Sequence, residues 1–493
     1  MTAWKNIILI QSDQHRGDWL GSAGADFIHS PHLDALASRG VSFRNSYCSY
    51  PLCGPSRMSF LTGRHPYRNG IFTNEESLAS HLPTYAHALG LAGFHTVLCG
   101  RMHFCGVDQR HGFVERIFGD YNASYPGGPI AEMPKELRQA SAGRKACIDH
   151  VKTSEHNYFI DFDEGVTCAA EAYLSDYAQQ GEQAPPLALN VGFFLPHTPF
   201  AAPEKYVARA RERAGTMPQP IPRRADMNAW EASFLTQRQT ESMKPEDFQE
   251  ARIQYAAMID YLDERIGRVL HAAEALHGET LVVYWSDHGE LAGDHQLVTK
   301  GNLNESSIHV PMIWSPLKPS AEEQAKPAIQ NPGRLVNAPA SLLDIAATLA
   351  DYCEPSEEWR RMPALDGVSL RPYLEDRSTE KLDERAIFTE VEMTPDPGPA
   401  RMVRRGAYKY IYYHQDRDAL FNLELDPGEQ RNLIDEPEHS GLVEELRTLV
   451  LTGWDPVHLQ SLCEESWKIR PFIVRWGQQV GAKHYGLMDV WPG

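Results

Sequence analysis

Cys53 opens the run Cys-Gly-Pro-Ser-Arg-Met-Ser-Phe-Leu-Thr-Gly-Arg, residues 53 to 64. Pro55 sets its own φ and suits the first turn of a helix, while Gly63 suits the left-handed position just past a helix end, so a short helix from about Pro55 to Thr62 is predicted. Cys53 then sits at the helix N-terminus, where unpaired backbone N–H groups and the helix dipole favour an anion, and Arg57 adds a fixed positive charge one turn further in. This is a cradle for a sulfate or phosphate group. From the residues alone it is equally the start of a capped helix preceded by a buried structural cysteine. Asp13-Gln14 follows the apolar run Asn6 to Gln11, and Asp287-His288-Gly289 follows the apolar run that ends at Trp285-Ser286. Two acid-bearing strand ends set side by side make a metal site whose oxygen ligands favour Ca²⁺, Mg²⁺ or Mn²⁺ over zinc, and the nitrogen of His288 tilts the choice toward Mn²⁺.

The elements that must position these groups can be read from periodicity. Asn6 to Gln11 has the near-continuous apolar character of a central parallel strand covered on both faces. Helical patterns occupy His32 to Gly40, Leu82 to Ala92 and Pro245 to Leu276, and strands are expected at His95 to Cys99, Leu187 to Phe194 and Thr280 to Trp285. Strands alternating with helices imply a doubly wound α/β sheet, in which ligands gather beyond the carboxyl ends of the strands. Asp13, Arg101, His103, His197 and Asp287 all fall there. The stretches Lys135 to Asn157 and Arg209 to Met243 are polar, are expected to be irregular, and read as insertions on the substrate side. A charged segment from Glu375 to Arg385 precedes a second region with strands at Ala386 to Val391, Met402 to Arg404 and Tyr408 to Tyr413.

At 493 residues the chain has room for more than one core. Its net charge of −19 argues against nucleic acid and anionic membrane as partners, since both would repel it, and an anionic substrate then needs a local positive pocket. Met1 to Lys5 runs straight into the first strand without the leader and cleavage site of a signal peptide, and a cytoplasmic protein is expected. The eight cysteines form no Cys-x-x-Cys pair, so reduced, mostly buried thiols are expected.

The 53 to 64 run, with its Cys-x-Pro-Ser-Arg start and Leu-Thr-Gly-Arg finish, resembles the signature of the formylglycine-dependent (type I) sulfatases of the alkaline phosphatase superfamily. Gly100-Arg-Met-His103 and the residues up to Phe113 are similar to the family's Gly-Lys-x-His motif, with Arg101 where lysine is usual. Phe194-Leu-Pro-His-Thr-Pro199 is similar to a second histidine motif, Gly293 to Lys300 to the pattern that carries a sulfate-contacting lysine, and Asp426 to Leu433 to a turn near the family's C-terminal end. The Asp13-Gln14 opening, in place of two aspartates, is shared with the choline sulfatase and phosphonate monoester hydrolase branch. His309 stands where many members have arginine and is given no role.

The resemblance implies an alkaline phosphatase-like fold, with a large mixed but mostly parallel sheet flanked by helices over residues 1 to 385. A small C-terminal α+β subdomain would follow over 386 to 450, then an aromatic-rich tail over 451 to 493 that either packs on its own body or joins subunits into a homodimer or homotetramer. It also implies that a separate formylglycine-generating enzyme oxidises Cys53 to an aldehyde. The hydrated aldehyde would attack a small-molecule sulfate ester beside one divalent metal, Ca²⁺ or Mn²⁺, held by Asp13, Gln14, residue 53, Asp287 and His288. Arg57, Arg101 and Lys300 would hold the sulfuryl oxygens, His197 and Lys300 would serve the leaving oxygen, and His103 would help expel sulfate. The same motifs fit a phosphonate monoester or phosphodiester hydrolase, and an unmodified Cys53 would leave a non-catalytic anion-binding protein. Choline, alkyl, aryl and sugar sulfates all stay open as substrates. The stretch from Ile117 to Pro126 lacks the tryptophan-rich sequence associated with choline sulfatases.

Overall fold

The apolar run near the N-terminus forms strand β1 (Asn6–Ser12), every residue of which is buried. Its side chains alternate between two cores: Ile7 and Leu9 enter one, Ile8 and Ile10 the other. That is why Ile7 to Ile10 is unbrokenly apolar rather than alternating. The computed structural model describes residues 4–119, 151–318, 329–353, 359, 364–377, 382, 384–392 and 397–480. β1 lies at the middle of an eight-stranded sheet with the order β4-β3-β5-β1-β6-β7-β2-β8. The other strands are β2 (Val41–Tyr47), β3 (His95–Gly100), β4 (Glu115–Phe118), β5 (Leu187–Gly192), β6 (Thr280–Ser286), β7 (Met312–Pro316) and β8 (Arg334–Ser341). β7 runs antiparallel to both of its neighbours, and the other described pairs are parallel.

Helices cover both faces. On one side α2 (Cys53–Thr62), α3 (Tyr85–Leu91) and α8 (Leu343–Tyr352) contribute Phe60, Leu89 and Ile345 to the core with Leu9. On the other, α1 (Pro31–Arg39), α4 (Tyr158–Ala178), α5 (Glu204–Arg213) and α7 (Pro245–Ala273) contribute Leu33, Val166, Tyr206 and Leu262 to the core with Ile10. A second sheet, order β12-β11-β10-β9, is antiparallel and comprises β9 (Ile387–Val391), β10 (Ala400–Arg405), β11 (Tyr408–Tyr413) and β12 (Ala419–Asn422). Helix α9 (Ser440–Leu451) packs Leu446 and Val450 with Val403 and Tyr410 of that sheet. α10 (Pro456–Val480) closes the described chain.

Two expectations need correction. Helix α2 begins at Cys53 rather than Pro55, because Leu52 is still extended, so the cysteine lies in the first turn instead of ahead of it. The stretch from Arg209 to Met243 is not irregular: it holds the end of α5 and a further helix, α6 (Ala229–Arg238). Asn228 and Glu231 form a capping box at the start of α6, and only Trp230, Phe234 and Leu235 are buried along it, so its polar composition hid a capped amphipathic helix. Of the other insertion, Val151 to Asn157 has no regular structure, and residues 135–150 lie outside the described residues, as do Tyr485 and Trp491 of the tail.

The start of α1 has no side-chain cap of its own. Asp263 of α7, buried, takes that place: its carboxylate accepts His32 N–H at 3.0 Å and Leu33 N–H at 2.9 Å. Asp263→Ala leaves both donors without an acceptor and should lower stability by about 2 kcal/mol. Urea unfolding measures this, and a change below about 0.5 kcal/mol would show that water replaces the carboxylate.

Candidate active site

β1 and β6 pair in register with Ser12 opposite Ser286, so Asp13 and Asp287 leave the sheet side by side. Helix α2 is pinned beneath them by Ser56, whose hydroxyl donates to the Asp287 carbonyl at 2.6 Å. Arg57, fully buried, bridges the two acids: Nε donates to Asp287 Oδ2 at 2.9 Å and Nη2 to Asp13 Oδ2 at 3.2 Å. Its other N–H groups meet the carbonyls of Ser12 and Arg101. Arg101 leaves the end of β3, donates from Nε to Asp13 Oδ2 at 2.6 Å and from Nη2 to His103 Nδ1 at 2.9 Å, and stacks on the Phe194 ring at 3.9 Å. Burial alone would raise the Asp13 pKa, but Arg101, His197, Arg57 and His288 together hold it well below the usual carboxylate range.

The remaining oxygens of the two acids face His288. Its Nδ1–H donates to the Gly289 carbonyl at 3.0 Å, which leaves a lone pair on Nε2. Asp13 Oδ1 and Asp287 Oδ1 lie 3.5 and 3.6 Å from that nitrogen, and Cys53 Sγ lies 3.2 Å away. Burial lowers the His288 pKa against the opposing pull of the Asp287 charge, with Lys300 adding to the lowering, and favours the neutral ring. All four ligand atoms fall within 4.8 Å of one another and all four residues are buried. Electron-rich atoms gathered this closely inside a protein can hold a cation between them, and this oxygen-rich set with one imidazole fits a divalent metal.

On the far side of Gln14, Lys300 Nζ donates to Gln14 Oε1 and, at 2.6 Å, to His197 Nε2. His197 in turn donates from Nδ1 to the Thr198 carbonyl at 2.6 Å, and burial together with the Lys300 charge lowers its pKa. The turn that carries His197 is fixed by Asp163 of α4, which accepts Phe194 N–H at 2.7 Å and Leu195 N–H at 2.9 Å and is pushed up to about 7 by burial. His103, His197 and Lys300 keep 9, 8 and 7% of their surface, whereas Asp13, Arg57 and Asp287 have none, so ligand must approach from the side of the former.

Asp13, Gln14, Cys53, Arg57, Arg101, His103, His197, Asp287, His288 and Lys300 thus form one connected cluster. Within it Gln14 is engaged by Lys300 and by Glu290, while its backbone N–H donates to Asp287 Oδ1 at 3.0 Å. His309 stands apart, with Nε2 on the Arg44 carbonyl at 2.6 Å. Sequence reasoning missed Asn74, Asp163 and Glu290. Asn74 lies in a loop without a local signal, yet its side chain accepts Gly54 N–H at 2.8 Å and its carbonyl accepts His103 Nε2–H at 3.1 Å. Glu290 follows Asp287-His288-Gly289 directly, and that adjacency was the available signal.

The sulfatase family profile matches residues 5–354. A choline-sulfatase of Rhizobium meliloti is 32% identical over 479 residues, covering 94% of this chain and 90% of its own length. An arylsulfatase of Clostridium perfringens is 27% identical over 492 residues, covering 90% and 93%. Among solved structures, the phosphonate monoester hydrolase of Agrobacterium radiobacter matches with a TM-score of 0.72 at 23% identity, over 91% of this chain and 95% of that one, and shares its alkaline phosphatase-like fold.

Removing Arg57 leaves two buried carboxylates unbridged. In chelator-treated protein, Arg57→Met should lose about 3 kcal/mol or more of stability in urea unfolding, and Arg57→Met/Asp287→Asn should recover part of it. An Arg57→Met variant as stable as the parent would mean that the acids are not both charged.

Proposed function

We propose, from the premise that this chain belongs to the sulfatase family and is a sulfuric ester hydrolase, that it cleaves a small-molecule sulfate ester to an alcohol and sulfate through a formylglycine made from Cys53. The observation that carries this reading is the meeting of Cys53 Sγ with Asp13, Asp287 and His288 above the buried Arg57. Asp13, Asp287, His288 and residue 53, with the Gln14 oxygen alongside, would hold one divalent metal, Ca²⁺ or Mn²⁺, which when bound lowers the pKa of a hydroxyl next to it. Hydrated formylglycine supplies two hydroxyls on one carbon, one to attack sulfur and one to release sulfate.

The chain's own groups then have distinct tasks. Arg57 fixes both carboxylates and the first turn of α2 beneath residue 53. Arg101, always charged and held by Asp13 and the Phe194 ring, presents a forked cation to the sulfuryl oxygens. Lys300 shares a proton with His197 Nε2, which keeps a proton at hand for the departing alcohol oxygen. His103, oriented by Arg101 and the Asn74 carbonyl, stands ready to assist release of sulfate. A phosphonate monoester or phosphodiester reaction is the second reading, supported by Gln14 in place of a second acid. The choline-sulfatase relative puts choline sulfate among the esters to try, with alkyl, aryl and sugar sulfates.

Maturation calls for a formylglycine-generating enzyme. We place the catalytic domain at 1–385, the small subdomain at 386–450, and an oligomer-forming tail at 451–493. We place the protein in the cytoplasm, where its cysteines would stay reduced. No described helix is long and apolar enough to cross a membrane.

The deciding experiment is the mass of the Cys53 peptide, from protein made in its own host, with and without an aldehyde-trapping reagent. A loss of about 18 Da relative to cysteine, together with trapping, is expected for the thiol-to-aldehyde change. An unmodified thiol in fully matured material would sink the mechanism and leave an anion-binding protein. Relative kcat/KM for matched sulfate and phosphonate esters then separates the two catalytic readings.

A homodimer or homotetramer is supported by α10, where Val457 is 66%, Phe472 71% and Val480 55% exposed, a costly surface to leave in water. Sedimentation should show the oligomer and Phe472→Glu should weaken it. A monomer at all concentrations would remove this assignment.

A further inference from the structure

We infer that Glu290 is a positioning residue for the sulfatase reaction, setting at once the orientation of the Gln14 carboxamide and the base of the loop that delivers Lys300. Glu290 is fully buried, and three N–H groups converge on its carboxylate. Oε1 accepts Ala292 N–H at 2.8 Å and Thr299 N–H at 2.6 Å, and Oε2 accepts the Gln14 side-chain amide. The segment from Leu291 to Thr299 is a closed loop, with Leu291 N–H on the Thr299 carbonyl at 2.8 Å and Gly293 N–H on the Leu297 carbonyl at 2.8 Å. Lys300 is the next residue, so the carboxylate that joins the two ends of this loop also fixes where the lysine departs.

The second function follows from donor and acceptor inventory. The Gln14 backbone is already immobilised, at φ 75 with its N–H on Asp287 and its carbonyl accepting the Tyr255 hydroxyl at 2.6 Å. Only the amide remains to be oriented. A carboxylate offers acceptors alone and an ammonium offers donors alone, so one orientation satisfies both neighbours: NH₂ toward Glu290, oxygen toward Lys300. That orientation gives Lys300 a second acceptor beside His197, and one of the three ammonium N–H groups is left over for a ligand. A reversed amide would set NH₂ against the ammonium.

The inference rests on the sulfuric ester hydrolase reading. The wild-type rate on 4-nitrophenyl sulfate reports on that reading, and the ratio of variant to wild type reports on Glu290. Glu290→Gln is nearly isosteric: its oxygen can still accept Ala292 and Thr299, but its NH₂ faces Gln14 and turns that amide round. We expect kcat to fall by at least about tenfold with KM changed by less than about threefold, and the thermal midpoint to hold. The swapped pair Gln14→Glu/Glu290→Gln presents a carboxylate to both Lys300 and the new amide, and should recover most of the lost kcat. A residue that only staples the loop would not respond to that swap. Wild-type kcat in Glu290→Gln, or no recovery in the swapped pair, overturns the inference. If Glu290→Gln does not fold, Gln14→Glu alone leaves the staple intact and sets two carboxylates face to face; a loss of kcat is expected, and undiminished turnover would overturn the proposal.

Discussion

Two carboxylates on neighbouring parallel strands, both cut off from water, are the constraint to which the rest of the site answers. With ligand oxygens within 4.8 Å, two like charges repel by about 3 kcal/mol at an effective dielectric of about 20. Each also loses its hydration. Cations must therefore be built in, and the fold brings them from two directions. α2 brings Arg57 from below, and the end of β3 brings Arg101 from beside Asp13. These guanidinia take the outer oxygens, Oδ2 of each acid, and leave the inner ones turned toward His288 and Cys53. The protein thus neutralises the pair only on one side. The other side is kept electron-rich, which is the condition for binding a metal.

The histidines obey a common rule. One nitrogen of each donates to a backbone carbonyl: His288 to Gly289, His197 to Thr198, His103 to Asn74. The other nitrogen is thereby left as an acceptor, facing the acid cluster, Lys300 and Arg101 respectively. Fixing a tautomer through the backbone needs no further charged partner. Burial lowers the pKa of His197 and His288 and reinforces the neutral form of both. The charged donors are consequently Lys300, Arg57 and Arg101; His197 and His103 serve as oriented acceptors for Lys300 and Arg101, while the free lone pair of His288 is kept for the acid cluster.

Much of this was legible in the sequence because the information is local. Asn6 to Gln11 reads as a doubly covered strand from its unbroken apolar run, and Pro55 with Gly63 brackets a helix whose far end is where Gly63 places it, at φ 67. Most chemistry-bearing residues were found because they lie one to five residues past a strand end or in the first turns of α2; Lys300, fourteen residues past the end of β6, was found through the motif from Gly293 to Lys300. What escaped was non-local. Asp163 acts on a turn 31 residues away and Asn74 on a glycine 20 residues back, and neither spacing leaves a mark in composition. The capped helix α6 escaped because it sits within a polar stretch, although Asn228-x-x-Glu231 was there to be read. The reversal of β7 is likewise a property of the long connection after β6, not of the strand's own residues.

The small sheet earns its place through that same connection. Lys409 of β11 is fully buried between Glu305 at 3.0 Å and Glu429 at 2.7 Å, and Glu429 also accepts Glu305 N–H at 2.9 Å. Arg404 of β10 bonds the Tyr47 hydroxyl, which itself donates to Glu305 at 2.9 Å. Glu305 belongs to the short segment after Lys300 whose Ser307 carbonyl accepts Gly289 N–H at 2.9 Å, next to His288 of the acid cluster. A buried lysine flanked by two acids is a poor source of net stability, but it fixes a register sharply. The C-terminal sheet therefore acts as a buttress for the segment that runs from Lys300 to Ile308, holding from behind the groups that the β1 and β6 strand ends hold from below.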